Sequence, residues 1–396
     1  MIRILCCFWV AITLFCSCSH NGRNYSFLLH PVDSFLTYAL DSDVKMPLFI
    51  RTCTSSDGKE YLYFQNSYLP ELLIYDVHNG SLVNKNVFEV EGSNAVKGGF
   101  LNGFMMSDCE HIYIAGLADC NLYETDTTGY IKKRMNYAVT SDGYKPVGCF
   151  KENGTFQFLN GKLYLTQSLN WQLGEEVMEK SSLLCCIDTL SGNTTSLPIA
   201  FPAIDEHLVR GAASSLVSEY KCCFDGHRFV YSFAYMDDLL VVDPIACSVE
   251  YKQGKSQYVD NIQCPSYQGG DDQVMQRQIC ESPSYGNILY DSDNEIYYRI
   301  VYIPQEVEAG VEALTLLRSG RKQFSIQIFD KQLTMIGEHV FPPYTYNSRL
   351  CFVTKGKLYI STNHVMNPDY SDDVLSFQMF ELVDKAGGIR CNAGNN

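Results

Sequence analysis

The residues best suited to binding chemistry lie in long polar stretches between short apolar segments. These stretches hold aromatic, carboxylate, guanidinium and imidazole groups, the mix that a sugar, peptide or small-ligand site uses. The candidate ligand-binding residues are Trp171, Tyr267, Asp271, Asp272, Arg318, Arg321, His364 and Tyr370. Any solvent-facing loop is rich in such residues, so each one alone is explained as well by solvation as by function. The argument for a site therefore depends on whether they share one face.

Motifs for catalysis or metal binding are absent from the sequence. It has no GxSxG, GxGxxG or HExxH, and its eight histidines are scattered without ligand spacing. Residues 291–295 (DSDNE) alternate carboxylates as a calcium loop does, but they lack the following glycine and terminal glutamate of the hand-type loop. A hairpin turn explains them better, because Asp and Asn are ordinary turn residues. We predict no metal and no cofactor, and we leave enzymatic activity open because catalytic groups can come from distant parts of a chain.

The elements that must position these stretches are strands in a repeating unit. In residues 72–83, apolar positions alternate and are followed by the turn residues 76–80, which predicts a hairpin. Similar strand pairs recur, with the first strand of each pair beginning at residues 61, 111, 162, 228, 295 and 357. A further strand precedes each pair and the return strand of the hairpin follows it, so each unit is a four-stranded meander. Six such units predict an all-β fold, a six-bladed β-propeller of four-stranded antiparallel blades, with a sandwich as the main alternative.

The two ends of the repeat predict how the ring closes. The last copy runs out after about three strands, and residues 25–29 or 34–40 could supply the missing outer strand. An N-terminal strand would then close the last blade. We expect the propeller to span residues 24–385 and residues 386–396 to form a disordered tail.

Loop lengths predict one elaborated face. In a propeller, loops between second and third strands and loops between blades emerge on the same side. The long connections are residues 168–181, 305–323 and 363–373, between second and third strands, and residues 252–285, between the fourth and fifth units. We call the side that carries them the long-loop face. Long loops in compact domains are often functional, and residues 306–317 predict a short helix that packs over the blade.

The N-terminus predicts export. Residues 1–17 carry one positive charge, Arg3, and an apolar run too short to cross a bilayer comfortably, as a signal peptide does. The segment Phe15-Cys16-Ser17-Cys18 resembles a lipobox, which would make Cys18 the lipidated first residue and residues 18–23 a tether. The alternative is an ordinary secretory peptide cut near Ser17 or Ser19. No later segment is long and apolar enough to span a bilayer, so we expect membrane contact through the N-terminal lipid alone.

The charge limits which classes of partner are expected, and the cysteine spacing indicates the state of the thiols. The chain has 30 basic and 45 acidic residues, and removing Arg3 with the leader leaves 29 against 45, a net charge of −16. Such a surface repels phosphate, which argues against nucleic acid and polyanionic partners. A protein, peptide or glycan on the long-loop face is the expected partner of a monomer. The 17 cysteines include no CxxC after the leader, and we predict mostly free thiols.

The lipobox-like leader and the six Tyr-rich, Asp-and-Gly-turned units resemble an uncharacterised family of propeller lipoproteins from Bacteroidota. That family is related in architecture to the TolB-like and NHL-like six-bladed propellers. The resemblance covers the whole mature chain and brings no catalytic residues. Surface-exposed lipoproteins of the group carry acidic residues just after the lipidated cysteine, and residues 19–23 (SHNGR) have none. The resemblance therefore implies an outer-membrane anchor that faces the periplasm.

Two functions fit these features. The first is a binding or interaction module that acts through the long-loop face. The alternative is a hydrolase or lyase that acts on a carbohydrate or lactone at the central channel, and a pure scaffold in an envelope complex is a third possibility. An inward cluster of carboxylates or histidines would favour the enzyme, whereas an aromatic, carboxylate-poor surface would favour the binding module.

Overall fold

A computed structural model describes residues 25–97, 103–108, 111–116, 120–141, 143, 145–146, 155–169, 180–202, 219–262, 264–265 and 271–385. Within these ranges the fold is all-β and propeller-like, with four four-stranded sheets and one eight-stranded sheet. The strand pairs predicted from the repeat are confirmed in all six copies. The predicted leader, the lipidation site Cys18 and the C-terminal tail lie outside the described residues.

Each four-stranded sheet is an antiparallel meander in sequence order. The first sheet contains β2 (Arg51–Thr54), β3 (Glu60–Gln65), β4 (Glu71–Asp76) and β5 (Leu82–Val87). The second contains β6 (Phe104–Asp108), β7 (His111–Ala115), β8 (Asn121–Thr125) and β9 (Ile131–Asn136). The third contains β10 (Phe156–Leu159), β11 (Lys162–Thr166), β12 (Leu184–Asp188) and β13 (Thr194–Ser196). The fourth contains β14 (Tyr220–Phe224), β15 (Phe229–Phe233), β16 (Leu239–Asp243) and β17 (Ser248–Lys252).

The eight-stranded sheet consists of two antiparallel groups. One group is β18 (Ser284–Asp291), β19 (Ile296–Tyr302), β20 (Phe324–Phe329) and β21 (Met335–Val340). The other is β22 (Asn347–Thr354), β23 (Lys357–Ser361), β24 (Val374–Asp384) and the N-terminal strand β1 (Phe27–Ala39). One parallel bridge, Phe27 to Gly337, joins the two groups. The end strands β18 and β22 lie side by side, with Asn287 Nδ2 3.8 Å from Cys351 Sγ, so the sheet folds back on itself.

The strand β1 joins the two ends of the described chain. It pairs antiparallel with β24 from Phe27 opposite Asp384 to Ala39 opposite Val374, with one irregularity in the middle. Residues 25–29 and 34–40, which the sequence offered as alternatives, therefore both contribute to the same strand. The pairing leaves no open edge on β24, the last strand of the described chain.

The apolar core lies between neighbouring sheets. Each large cluster of buried residues draws on two adjacent groups of strands, as where Tyr63 of β3 packs on Phe104 of β6, with ring centroids 5.7 Å apart. The same holds where β1 meets the first sheet. There Tyr38 packs edge-on against Tyr75 of β4, with centroids 5.6 Å apart, and its hydroxyl donates to Val77 O at 3.0 Å. The alternating apolar residues of the strands thus hold the sheets together face to face.

Two helices stand in the long connections of the described chain. We label them α1 (Asp272–Glu281) and α2 (Ala313–Ser319). The helix predicted in residues 306–317 is confirmed in type, although it begins only at Ala313. The helix α1 is a correction, because the sequence reading treated residues 252–285 as loop. Its residues are mostly polar and only Cys280 is buried, so it lacks the apolar stripe that reveals a helix in a sequence. No helix in the described ranges is long and apolar enough to cross a membrane.

The prediction of free thiols holds for several cysteines of the sheets. Cys185, Cys186, Cys223 and Cys351 are unbridged. Burial raises the pKa of Cys185 and Cys223 far above the ordinary thiol value and that of Cys351 to about 12. These side chains behave as small apolar groups in their strands.

Gly80 is a turn glycine that lies directly against the backbone of β1. It has φ +68°, and a Cβ there would overlap the carbonyl oxygen of Thr37 in β1. Gly129, in the equivalent turn of the second sheet, has φ +84° and meets Val87 O of β5 in the same way. Gly161 has φ +75° but open space around it, which makes it a control for backbone strain alone.

We predict that Gly80→Ala lowers the free energy of unfolding by about 3 kcal/mol, because it adds a steric clash to left-handed strain. Gly161→Ala should cost only about 1 kcal/mol, since it introduces strain without a clash. Urea denaturation of both variants measures the difference. Equal losses would show that β1 does not press against this turn.

Candidate functional site

A cavity of about 680 Å³ lies between the first strands of the strand groups. Its wall includes residues of β2, β6, β10, β14, β18 and β22, and its other lining residues include Ile279, Leu316 and Leu317 from the two helices. In a meander the first strand is an edge strand, so a cavity that touches all six edges lies where the sheets converge. Its volume is within the usual range for small-ligand sites.

Basic side chains enter this cavity from three separate strands. Arg51 comes from β2, Lys221 from β14 and Arg349 from β22. Among the described lining residues the one carboxylate is Glu219, whose Oε1 lies 3.5 Å from Lys221 Nζ. The described lining contains no histidine.

Aromatic rings form much of the remaining wall. The aromatic lining residues are Phe49, Tyr63, Phe158, Phe224, Tyr235, Tyr285, Tyr290, Tyr302 and Phe352. Burial raises the pKa of Tyr235 and Tyr290, so both hydroxyls stay protonated at neutral pH. Cys223 and Cys351 also line the cavity, and their raised pKa values keep them as neutral thiols rather than thiolate nucleophiles. The described wall is therefore rich in aromatic rings and also carries cations.

The helix α2 covers one end of the cavity. Leu316 and Leu317 face the lining, and Arg349 Nη1 donates to Leu317 O at 2.5 Å, which ties the helix to β22. Leu316 is buried with Cys280 of α1 and Val307 in a small apolar cluster of their own. The helices α1 and α2 thus form a roof over the point where the first strands meet.

Arg321, one of the predicted ligand residues, is buried next to this roof. Its guanidinium donates to Ser282 O at 2.6 Å and to Ser284 Oγ at 2.9 Å, and it lies 4.3 Å from the ring centre of Tyr302. Arg321 also lines the cavity. Its hydrogen bonds to the protein give it a role in holding the roof to β18.

His364, another predicted ligand residue, is completely buried. Its Nε2 lies 3.0 Å from Gly320 O, and its Nδ1 accepts from Met366 N at 3.1 Å. Burial lowers the pKa of His364, which agrees with a neutral ring that donates through one nitrogen and accepts through the other. The contact joins the β23–β24 and β19–β20 connections, so these two connections do share one face.

The other predicted residues lie away from the cavity or outside the described chain. Asp271 caps α1, its side chain accepting from Gln273 N and Val274 N, and Asp272 is exposed in the first turn. Arg318 is exposed on α2, and the Tyr370 hydroxyl donates to Asp372 Oδ1 at 2.6 Å. Trp171 and Tyr267 lie outside the described residues. Of the described candidates, Arg321 alone is on the cavity.

Asp291 belongs to a turn, as the sequence favours. Its Oδ1 accepts from Asp293 N at 3.1 Å and from Asn294 N at 3.2 Å, and its Oδ2 accepts from Asn294 Nδ2 at 2.8 Å. Within the described ranges, no group of three or more His, Cys, Asp or Glu side chains is placed to hold a metal ion.

The sequence reading missed the cavity cations although a signal for them exists. Three first strands carry a basic residue two positions before a cysteine: Arg51-Thr-Cys53, Lys221-Cys-Cys223 and Arg349-Leu-Cys351. All six of these basic and cysteine side chains line the cavity. The repeat is defined by its second and third strands, which do not contain this recurrence of the first strand.

Arg299 is a second missed residue, and its role is structural. It is fully buried in β19, donates to Ser232 Oγ at 2.8 Å and to Asp237 O at 2.6 Å, and lies 3.6 Å from the ring centre of Tyr285. Burial lowers its pKa to about 10, so it remains charged at neutral pH. An arginine within the otherwise apolar run IYYRIVY was the signal for such a buried cation.

Comparison with known proteins places the chain in a family. A model of a domain of unknown function, DUF4221, matches residues 25–340. The chain belongs to the DUF4221 family. A crystal structure of a DUF4221 member from Bacteroides vulgatus is similar over 91% of this chain and 100% of that chain, with 20% sequence identity and a TM-score of 0.76. A Bacteroides fragilis protein, named as a candidate exported protein, is similar over 90% of this chain and 95% of its own, with 9% identity and a TM-score of 0.53.

At these identities the likenesses show that the DUF4221 chain shares a fold with both proteins. Both come from Bacteroides, in agreement with the expected relationship to Bacteroidota. A search of curated proteins found no significant match.

We predict that Arg321→Gln lowers the free energy of unfolding by about 2–3 kcal/mol, because it leaves Ser282 O and Ser284 Oγ without their donor and removes the contact with Tyr302. Arg318→Gln, which changes an exposed arginine three residues earlier, should change it by less than about 0.5 kcal/mol. Chemical denaturation measures both. Equal stabilities would remove the structural role assigned to Arg321.

Proposed function

We propose that this protein is an exported, lipid-anchored, six-bladed β-propeller that binds a small ligand in the cavity beneath the roof of α1 and α2. The ligand is a small molecule or the end of a peptide or glycan. The protein acts as a binding module rather than as a hydrolase or lyase. The observation that carries this proposal is the cavity itself, whose described wall combines aromatic rings and cations with a single carboxylate.

The count of six blades is supported by the way in which the eight-stranded sheet folds. Its end strands β18 and β22 lie side by side, whereas eight strands laid flat would separate them by roughly 30 Å at about 4.8 Å per strand. Buried residues of β19 and β20 share one apolar cluster with those of β23 and β24. The sheet thus consists of two four-stranded blades that face each other across a core.

The position of β1 supports the same count. Thr37 of β1 meets Gly80 in the first sheet as Val87 of β5 meets Gly129 in the second. Since β5 is the outer strand of the first blade, β1 takes the place of the outer strand of a sixth blade. The ring is then closed by pairing between the two ends of the chain.

The composition of the wall favours binding over hydrolysis. Propeller hydrolases and lyases need acids, bases or metal ligands at the channel, and a glycosidase needs a pair of carboxylates. In the described lining the carboxylate is Glu219 alone, next to Lys221, and the thiols of Cys223 and Cys351 have raised pKa values. Flat aromatic faces and fixed cations suit the binding of a ligand that the protein does not alter chemically.

The proposal predicts that filling the cavity abolishes binding. Ser107 of β6 lines the cavity, so Ser107→Trp should obstruct it, whereas Ser248→Trp makes the same change on the exposed outer strand β17. We expect the neutral fluorescent probe N-phenyl-1-naphthylamine to bind the wild type and Ser248→Trp equally. The affinity of the probe for Ser107→Trp should be at least about tenfold lower, which corresponds to a loss of roughly 1.4 kcal/mol or more of binding free energy.

Fluorescence titration measures these affinities, and thermal unfolding checks that both variants are folded. Unchanged probe affinity in a folded Ser107→Trp variant would contradict a ligand site in the cavity. A screen of sugars, short peptides and organic acids by thermal shift, repeated with the two variants, extends the same comparison to natural ligand classes.

A further inference from the structure

The outer strand β17 differs from the other outer strands in the regularity of its edge. It pairs with β16 over five consecutive residues, from Ser248 opposite Asp243 to Lys252 opposite Leu239, without a register shift. The pairings of β5, β9, β21 and β1 with their neighbours each contain a register shift, and β13 has only three residues. Irregular pairing and short length prevent a strand edge from pairing with another chain, and β17 lacks both protections.

Both faces of β17 are open to solvent. Residues 245–251 are all exposed, whereas β5, β9 and β13 each bury at least one residue. Val249 and Tyr251 are 42% and 51% exposed, and they lie on one face because they are two residues apart in a strand. The strand β17 stands at the end of its sheet, and no described strand pairs with its outer side. Such an edge offers backbone N–H and C=O groups that an added strand can bind.

The charges of β17 fit a second copy of the same strand. Glu250 and Lys252 form an ion pair with each other, on the face opposite Val249 and Tyr251. In an antiparallel pair with Tyr251 opposite Tyr251 of a second copy, Glu250 lies opposite Lys252 of that copy, and the same contact repeats across the two-fold axis. Opposite charges at opposed positions stabilise a strand pair. Centring the pair on either charged residue instead would bring like charges together.

We propose that β17 pairs antiparallel with β17 of a second copy of this chain, in a two-fold symmetric dimer centred on Tyr251. Two four-stranded sheets then join into one continuous sheet of eight strands. This dimer differs from the monomer expected from the sequence. A pair of five-residue strands is smaller than a standard protein interface, so the dimer is weak and forms reversibly. None of residues 248–252 lines the cavity, so the dimer and the proposed ligand site stand or fall separately.

Charge reversal at two positions tests the pairing. Glu250→Lys and Lys252→Glu each place like charges opposite one another at two points of the interface, so each variant alone should dimerise at least about tenfold more weakly than the wild type. An equimolar mixture of the two variants restores opposite charges across the strands and should dimerise within about threefold of the wild type. Sedimentation equilibrium of the purified proteins from about 1 to about 300 µM measures the dissociation constants.

The matched controls are Glu91→Lys and Lys132→Glu, which make the same charge changes at exposed positions outside β17 and should leave dimerisation unchanged. An effect of net charge alone would have opposite signs in the two β17 variants, because the chain is acidic and Glu→Lys lowers the repulsion between copies whereas Lys→Glu raises it. Thermal unfolding checks that every variant is folded.

Three outcomes overturn the proposal. A wild type that stays monomeric at every concentration excludes a second copy as the occupant of this edge, even if a strand of another protein binds there. A dimer that both β17 variants leave unchanged forms through another surface. Loss of the dimer in both variants without recovery in their mixture contradicts the antiparallel register centred on Tyr251.

Discussion

The backbone pairing of β1 with β24 is the constraint on which the rest of the structure depends. It brings Phe27 opposite Asp384 and fills the edge that the last strand would otherwise expose. The same strand packs against the first sheet through Tyr38, whose hydroxyl reaches Val77 O, and through Thr37, which lies against Gly80. Every sheet packs on two neighbours. Loss of the contact between β1 and the first sheet would therefore leave two apolar faces uncovered. The first strands could then no longer converge, so the cavity depends on a contact made far from it.

Buried side chains with hydrogen bonds, in addition to apolar packing, hold the groups of strands and the roof in place. Arg299 donates to backbone and side-chain oxygens of the fourth sheet while its own strand belongs to the next group, so it fixes the relative position of two groups of strands. Arg321 and His364 do the same for the roof, since both bind backbone carbonyls of neighbouring connections. A buried charge or imidazole is costly unless its hydrogen bonds are made, so each of these residues tolerates few alternative arrangements of its surroundings. These hydrogen bonds therefore fix the position of the roof, and α2 stays over the cavity.

Much of the fold could be predicted from the sequence, because alternation and turn chemistry are local. The strand predicted after residue 72 is β4, and the N-terminal strand closes against β24 as expected. The candidate site could not be predicted in the same way. In the sequence, Arg51 and Lys221 look like ordinary strand residues. Only the topology places both of them on the wall of one cavity. Arg321 was chosen for its polarity, yet polarity in a loop does not distinguish a side chain that binds a ligand from one that binds the loop's own backbone.

The direction of β1 also decides how an anchored molecule would stand on a bilayer. Its last residue, Ala39, pairs with Val374 directly after the connection that carries His364, whereas its first residue, Phe27, lies at the opposite end of the strand. The described chain therefore begins on the side opposite the long-loop face. A tether of residues 18–23 could reach at most roughly 21 Å at about 3.5 Å per residue. With the proposed lipid on Cys18, the molecule would stand close to the membrane with its roofed end turned towards the aqueous compartment.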